Sequence, residues 1–107
     1  MFVYITNMIL KILVELIGTF IFLGVIRMTG DPISIGLALI TAIYFGGKVS
    51  GGHFNPAVTV MQTVDGKLDI TQASMYIISQ VVGGLMAFRY SQLANSVAGN
   101  NNVASEN

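Results

Sequence analysis

The chain has 107 residues, of which 53% are hydrophobic and only 9% charged, with a mean hydropathy of +0.73. Soluble domains carry about 25% charged residues, so this chain lacks the polar surface to fold in water and a bilayer suits it better. Five basic and five acidic side chains leave no basic patch for nucleic acid, and zero cysteines with one histidine leave no metal cluster, catalytic set or cofactor site. The inventory argues against an enzyme.

The first apolar run extends from Met8 to Met28, interrupted by Lys11, Glu15 and Thr19. About 20 residues cross a hydrocarbon core as a helix, so this run predicts a spanning helix over 8–28. A secretory signal peptide would place its positive charge before a shorter apolar stretch. Here nothing basic precedes Lys11, and Glu15 sits inside the run.

Gly30-Asp31-Pro32 ends that helix and opens the next: Asp31 can cap free N–H groups, and Pro32 suits the first helical position. The second spanning helix is expected over 32–49. Asp65-Gly66-Lys67 then reads as a turn, and Asp69 followed by Gln72 as a capping box at a helix start. The third spanning helix is expected over 71–90. Residues 91–107 are polar, rich in Asn, Ser and Ala, and are expected to form a disordered tail. Gly18, Gly24, Gly36, Gly46, Gly83 and Gly84 are candidates for close packing of membrane helices.

Between the second and third spans lies a short insert, residues 50–64, that does not read as a span. Asn55 at an N-cap with Pro56 next is a strong helix-start signal, and about two turns fit before Asp65-Gly66. Such a segment enters a membrane and stops midway, where protein or a water-filled cavity surrounds its irregular backbone. The glycines before it permit an extended approach. The positive end of the half-helix and the Asn55 amide would then face the bilayer midplane. A passing water can bond there while a cation is disfavoured. The physical reading is a pore for neutral solutes.

The run Ser50-Gly51-Gly52-His53-Phe54-Asn55-Pro56-Ala57-Val58-Thr59 closely resembles the first re-entrant loop of the aquaporin, or major intrinsic protein, family. Val14 to Phe20 is similar to that family's first helix and Tyr76 to Gly84 to its third, so the resemblance covers roughly residues 12–88. It implies an all-α membrane protein of three transmembrane helices and one re-entrant half-helix, the N-terminal half of the family's fold, over residues 1–90. By position, it implies that Asn55 is the pore asparagine and that the carbonyls of Gly52, His53 and Phe54 line the half-pore. Ile35 would fall at the outer constriction and Phe22 at a pore-facing position of the first helix. Glu15 would hold the loop backbone, with Gln80, Pro56 and Ala57 supporting it.

In the family such halves come as an inverted pair. This sequence has a single Asn-Pro-Ala, and Val58 stands where the second loop of the family carries an arginine. The resemblance implies a passive channel subunit for water or small neutral solutes such as glycerol. It would sit multi-pass in a lipid bilayer, its pore closed by an antiparallel copy or a separately encoded half. The alternative is a non-conducting fragment that binds or interferes with other channel subunits. With the N-terminus inside, Lys11, Lys48 and Lys67 lie on one side and Arg27 and Arg89 on the other, a weak bias compatible with either orientation.

Overall fold

The computed structural model describes residues 1–106. Four helices follow in order: α1 Phe2–Thr29, α2 Pro32–Ser50, α3 Pro56–Val64 and α4 Ile70–Glu106. Of these, α1, α2 and α4 are long and apolar enough to cross a membrane. The fold is all-α. At nine residues α3 is about 13 Å long, half a span.

Helix α1 begins at Phe2, six residues before the expected start, because neither Gly nor Pro lies between Phe2 and Lys11 to break it. Its C-terminus is closed by Gly30 in the left-handed region (φ 60°), whose N–H donates to the Ile26 carbonyl at 3.1 Å. Asp31 then caps α2: one carboxylate oxygen accepts from the Ser34 amide at 2.7 Å and from its hydroxyl at 2.8 Å. These bonds, the backbone one foremost, hold the Asp31 carboxyl below the ordinary aspartate range. A carboxyl with a lowered folded pKa stabilises the fold above its unfolded pKa, and that contribution vanishes as pH falls through the folded value. Asp31→Ala is therefore expected to lower the thermal midpoint at neutral pH, and the gap to the parent protein should close in strong acid. Melting both proteins at the two pH values checks this.

At the start of α4 Asp69 accepts from the Gln72 amide at 2.7 Å, but the reciprocal half of the capping box is not made. The Gln72 side chain turns instead to the Tyr76 hydroxyl at 3.3 Å. The disordered tail expected from residue 91 is, as far as Glu106, a continuation of α4; Asn107 lies outside the described residues. Ser91 is fully buried at the end of α1, where Arg27 Nε donates to its hydroxyl at 3.3 Å and the guanidinium lies 5.2 Å from the Phe88 ring. The tertiary contact carries the helix past Tyr90. Beyond Ala94 it is exposed on every side.

Helix α1 is central, packing on α2 and on α4, while α3 packs on α4. Glycines set the spacing. A Cβ on Gly83 would lie 2.6 Å from the Leu16 carbonyl oxygen and one on Gly46 2.5 Å from Val14 Cγ1. Gly36, in contrast, has nothing within 4 Å and makes no close approach.

Candidate functional site

The chain between α2 and α3 folds tightly. Gly51 and Gly52 have φ of 93° and 65°, angles that a side chain would strain, and Phe54 follows at 51°. A positive φ in a bulky residue costs about 1–3 kcal/mol and persists only where the surroundings over-determine it. Here they do. The Phe54 ring is 1% exposed and fills a slot between α1 and α2 that exists because Gly18 and Gly46 lack side chains. A Cβ on Gly18 would strike the ring directly.

Glu15 holds the backbone side of the same residues. It lies midway along α1, is 0% exposed, and accepts four hydrogen bonds. Oε2 receives the Ser50 hydroxyl at 2.6 Å and the His53 amide at 3.1 Å. Oε1 receives the Phe54 amide at 2.8 Å and Gln80 Nε2 at 2.9 Å. The four donors match the acceptor capacity of an ionised carboxylate. They come from α2, the loop and α4, so one side chain ties three segments together.

The ties continue outward. Gln80 Nε2 also reaches the Thr59 hydroxyl at 2.8 Å, which lies 2.9 Å from His53 Nδ1, so α3 is fastened to α4 and to the loop. The buried Tyr76 hydroxyl donates to the Ser50 carbonyl at 2.6 Å, and its ring meets that of His53 edge to face. The N–H groups at Gly52, His53 and Phe54 are all engaged inward, at Ser50 Oγ and Glu15.

The carbonyls are not. Among the described residues, those of Gly51, Gly52, His53 and Phe54 accept no hydrogen bond. The row ends at Asn55, whose Oδ1 caps α3 by accepting from the Ala57 amide at 2.8 Å. That bond occupies the oxygen and leaves the two hydrogens of Nδ2 as the donor of an exposed residue. Acceptors in series beside a donor can exchange hydrogen bonds with water or a small hydroxylic solute where they reach solvent; Gly51 and Gly52 do, while His53 and Phe54 are buried in this chain. The positive end of α3 points at the same place and disfavours cations.

The structure brings Gly52, His53, Phe54 and Asn55 together with Glu15 and Gln80. Pro56 and Ala57 are exposed and act locally, starting α3 and donating to its cap. Phe22 and Ile35 are half-buried, and Phe22 lies one helical turn beyond Gly18, the α1 residue against the Phe54 ring. Ile35 lies about three helical turns before Gly46, the α2 residue against Phe54. The loop borders two open cavities. One, of about 260 Å³, is apolar and runs between α1 and α2 past Val14, Phe45 and Phe54. The other, of about 340 Å³, has a mixed lining that includes the polar side chains of Lys11, His53, Gln62, Gln72 and Tyr76.

Ser50, Thr59 and Tyr76 are buried members of the network whose roles are not legible in the sequence. A signal existed for Tyr76: it precedes Gln80 by four residues, on the same helical face. Thr59 ends the Ser50–Thr59 run, but of its two partners only His53 lies in that run, while Gln80 comes from α4.

The profile of the family described as Major intrinsic protein matches residues 28–106. The chain is 44% identical over 87 residues to glycerol uptake facilitator protein-like 6 of Lactiplantibacillus plantarum, covering 72% of this chain and 40% of that one. It is 38% identical over 96 residues to aquaporin Z of Photorhabdus laumondii, covering 75% and 41%. To aquaporin NIP1-2 of Arabidopsis thaliana it is 34% identical over 91 residues, covering 72% and 31%. The chain thus spans less than half the length of these relatives. No solved structure matches. The profile match over most of the chain and three apolar spans identify an integral, multi-pass membrane protein that belongs to the major intrinsic protein family.

Proposed function

We propose that this chain forms one wall of a channel for water or small neutral solutes such as glycerol. The second wall is an antiparallel copy or a separate complementary chain. The observation that carries the reading is the row of carbonyls from Gly51 to Phe54, free of internal donors and ending at the exposed Asn55 amide. Backbone acceptors at membrane depth require either protein donors or a water-filled path, and the inward-facing side of this loop is already saturated. Relatives named as glycerol uptake facilitator and as aquaporin support both solute classes. Val58, in place of a charged side chain on α3, and the aliphatic Ile35 favour the less selective, glycerol-sized passage. Phe22 and Ile35 serve in this reading as wall positions, Phe22 about one helical turn from the loop and Ile35 about three.

Osmotic permeability of liposomes carrying the chain alone tests the antiparallel pair. Permeability above empty liposomes is expected. Asn55→Asp should reduce it about tenfold, the factor carried by one lost hydrogen bond of about 1.4 kcal/mol. Aspartate caps a helix as well as asparagine does, so helix content should not change. Permeability equal to that of empty liposomes, with insertion confirmed, rules out self-assembled conduction. A separate second half, or a role in binding other channel subunits, would then be the reading to pursue.

A further inference from the structure

The hydrogen bonds that run outward from Glu15 each have only one workable direction. The ionised Glu15 carboxylate only accepts, so Gln80 must present Nε2 to its Oε1, at 2.9 Å. A flipped amide would put an oxygen against an oxygen. The other hydrogen of the same Nε2 goes to Thr59 Oγ1 at 2.8 Å. Thr59 is fully buried, so its own hydroxyl hydrogen needs an acceptor inside the protein. Thr6, Thr29, Thr41 and Thr63 each return that hydrogen to the carbonyl four residues back. Thr59 makes no such bond among the described residues. The acceptor within its reach is His53 Nδ1, at 2.9 Å.

Nδ1 therefore offers a lone pair, and the proton of the neutral imidazole sits on Nε2. The buried ring is held in place: it meets the Tyr76 ring edge to face at 5.2 Å, and a half-turn would put a carbon against the Thr59 hydroxyl. Nε2 has no hydrogen-bond partner among the described residues and is on the open side of the loop. His53 and Gly51 both line the cavity of about 340 Å³. A Cβ on Gly51 would stand 3.3 Å from Nε2, so the glycine leaves this nitrogen uncovered.

We propose that Thr59 is a positioning residue that fixes His53 as the Nε2–H tautomer, and that this N–H is offered to an acceptor oxygen in the cavity, that of water or of a hydroxylic solute. Glu15 on α1 orients Gln80 on α4, Gln80 orients the hydroxyl of Thr59 on α3, and Thr59 orients the ring. A charge buried on one side of the loop thus decides what the cavity meets on the other. The opposite tautomer would turn a bare lone pair to the cavity and leave the Thr59 hydrogen buried without an acceptor. The tautomer stands on this network alone, while the hydroxylic solute rests on the channel reading.

Nitrogen NMR of the full chain in micelles, isotope-labelled at histidine, tests it, because His53 is the single histidine. In mildly alkaline solution imidazole is neutral. Nε2 should then carry the proton, and Nδ1 should show the shift of a hydrogen-bonded acceptor. Thr59→Val should move Nδ1 to the shift of an unbonded nitrogen and lower the ratio of Nε2–H to Nδ1–H about tenfold, the worth of one hydrogen bond. Thr59→Ser should restore both, and Thr41→Val should change neither. The Nε2 proton should exchange with water within seconds. A parent ring protonated at Nδ1, or an Nδ1 shift unmoved in Thr59→Val, overturns the role of Thr59. An Nε2 proton protected for minutes or longer overturns the donor to the cavity. Should Thr59→Val not fold, the parent decides: a bonded Nδ1 beside a protonated Nε2 supports the assignment, and an unbonded Nδ1 overturns it. None of these readouts needs conduction, so liposomes no more permeable than empty ones would remove the hydroxylic solute and leave the tautomer.

Discussion

Replacing Glu15 with alanine is expected to destabilise the protein by roughly 3–5 kcal/mol, more than any other single change at the site. The figure follows from what is left behind. The Ser50 hydroxyl, the His53 and Phe54 amides and one Gln80 hydrogen all end on this carboxylate. Each buried group stripped of its partner costs about 1–3 kcal/mol, and relaxation of the loop recovers part of the sum. Phe54 adds to the effect, because its positive φ persists only while its amide is held. Glu15→Gln should fall between: its oxygen still accepts, while its NH2 group faces donors and leaves two of them unmatched. Unfolding in micelles, followed by circular dichroism, should rank the parent above Glu15→Gln and Glu15→Gln above Glu15→Ala. A glutamine variant as stable as the parent would mean that no negative charge is needed there.

Gly83→Ala should cost about 1–3 kcal/mol, the range for forcing an extra carbon into a packed contact. The new Cβ would meet the Leu16 carbonyl oxygen at 2.6 Å and the Phe20 nitrogen at 3.2 Å. Both are backbone atoms of α1, so no rotamer change relieves the clash and the two helices must separate. Separation would pull Gln80 away from Glu15 and loosen the loop from a distance. Two neighbours serve as comparisons. A Cβ on Gly84 would meet Leu23 Cδ1 at 2.9 Å, the far end of a flexible side chain, and Gly84→Ala should be milder. Gly36→Ala meets nothing within 4 Å and should be neutral or slightly stabilising, since alanine is the better helix former. Thermal midpoints of the three variants in one detergent give the order. Equal losses at Gly83 and Gly36 would show that the α1–α4 contact does not govern stability.

The six glycines offered as packing positions illustrate where sequence stops. Gly18, Gly46, Gly83 and Gly84 make close approaches, Gly24 reaches only ordinary contact with Ala87, and Gly36 makes none. All six sit in apolar helices with similar neighbours, and nothing local distinguishes them. What separates them is which face each helix turns to its partner. Gln72 teaches the same lesson on a smaller scale. Its spacing from Asp69 fits a capping box, yet its side chain goes to Tyr76, because the buried Tyr76 hydroxyl offers a competing partner.

The sequence by itself determined the solvent and the order of elements. Hydropathy and charge are sums over the chain, and three apolar runs of spanning length follow from them without reference to folding. Asp31-Pro32 and Asn55-Pro56 place helix starts because capping and the fixed φ of proline act within a few residues. The half-length of α3 follows from its two turn signals. Tertiary structure alone decided that Glu15 on α1, Ser50 on α2 and Gln80 on α4 meet at one point, and that the Phe54 ring closes a slot made by two glycines 28 positions apart. It also decided that α4 runs past residue 90, where Ser91 docks under Arg27. These are pairings between segments distant in sequence. Their energy comes from burial and from matching donors to acceptors, which no local spacing encodes.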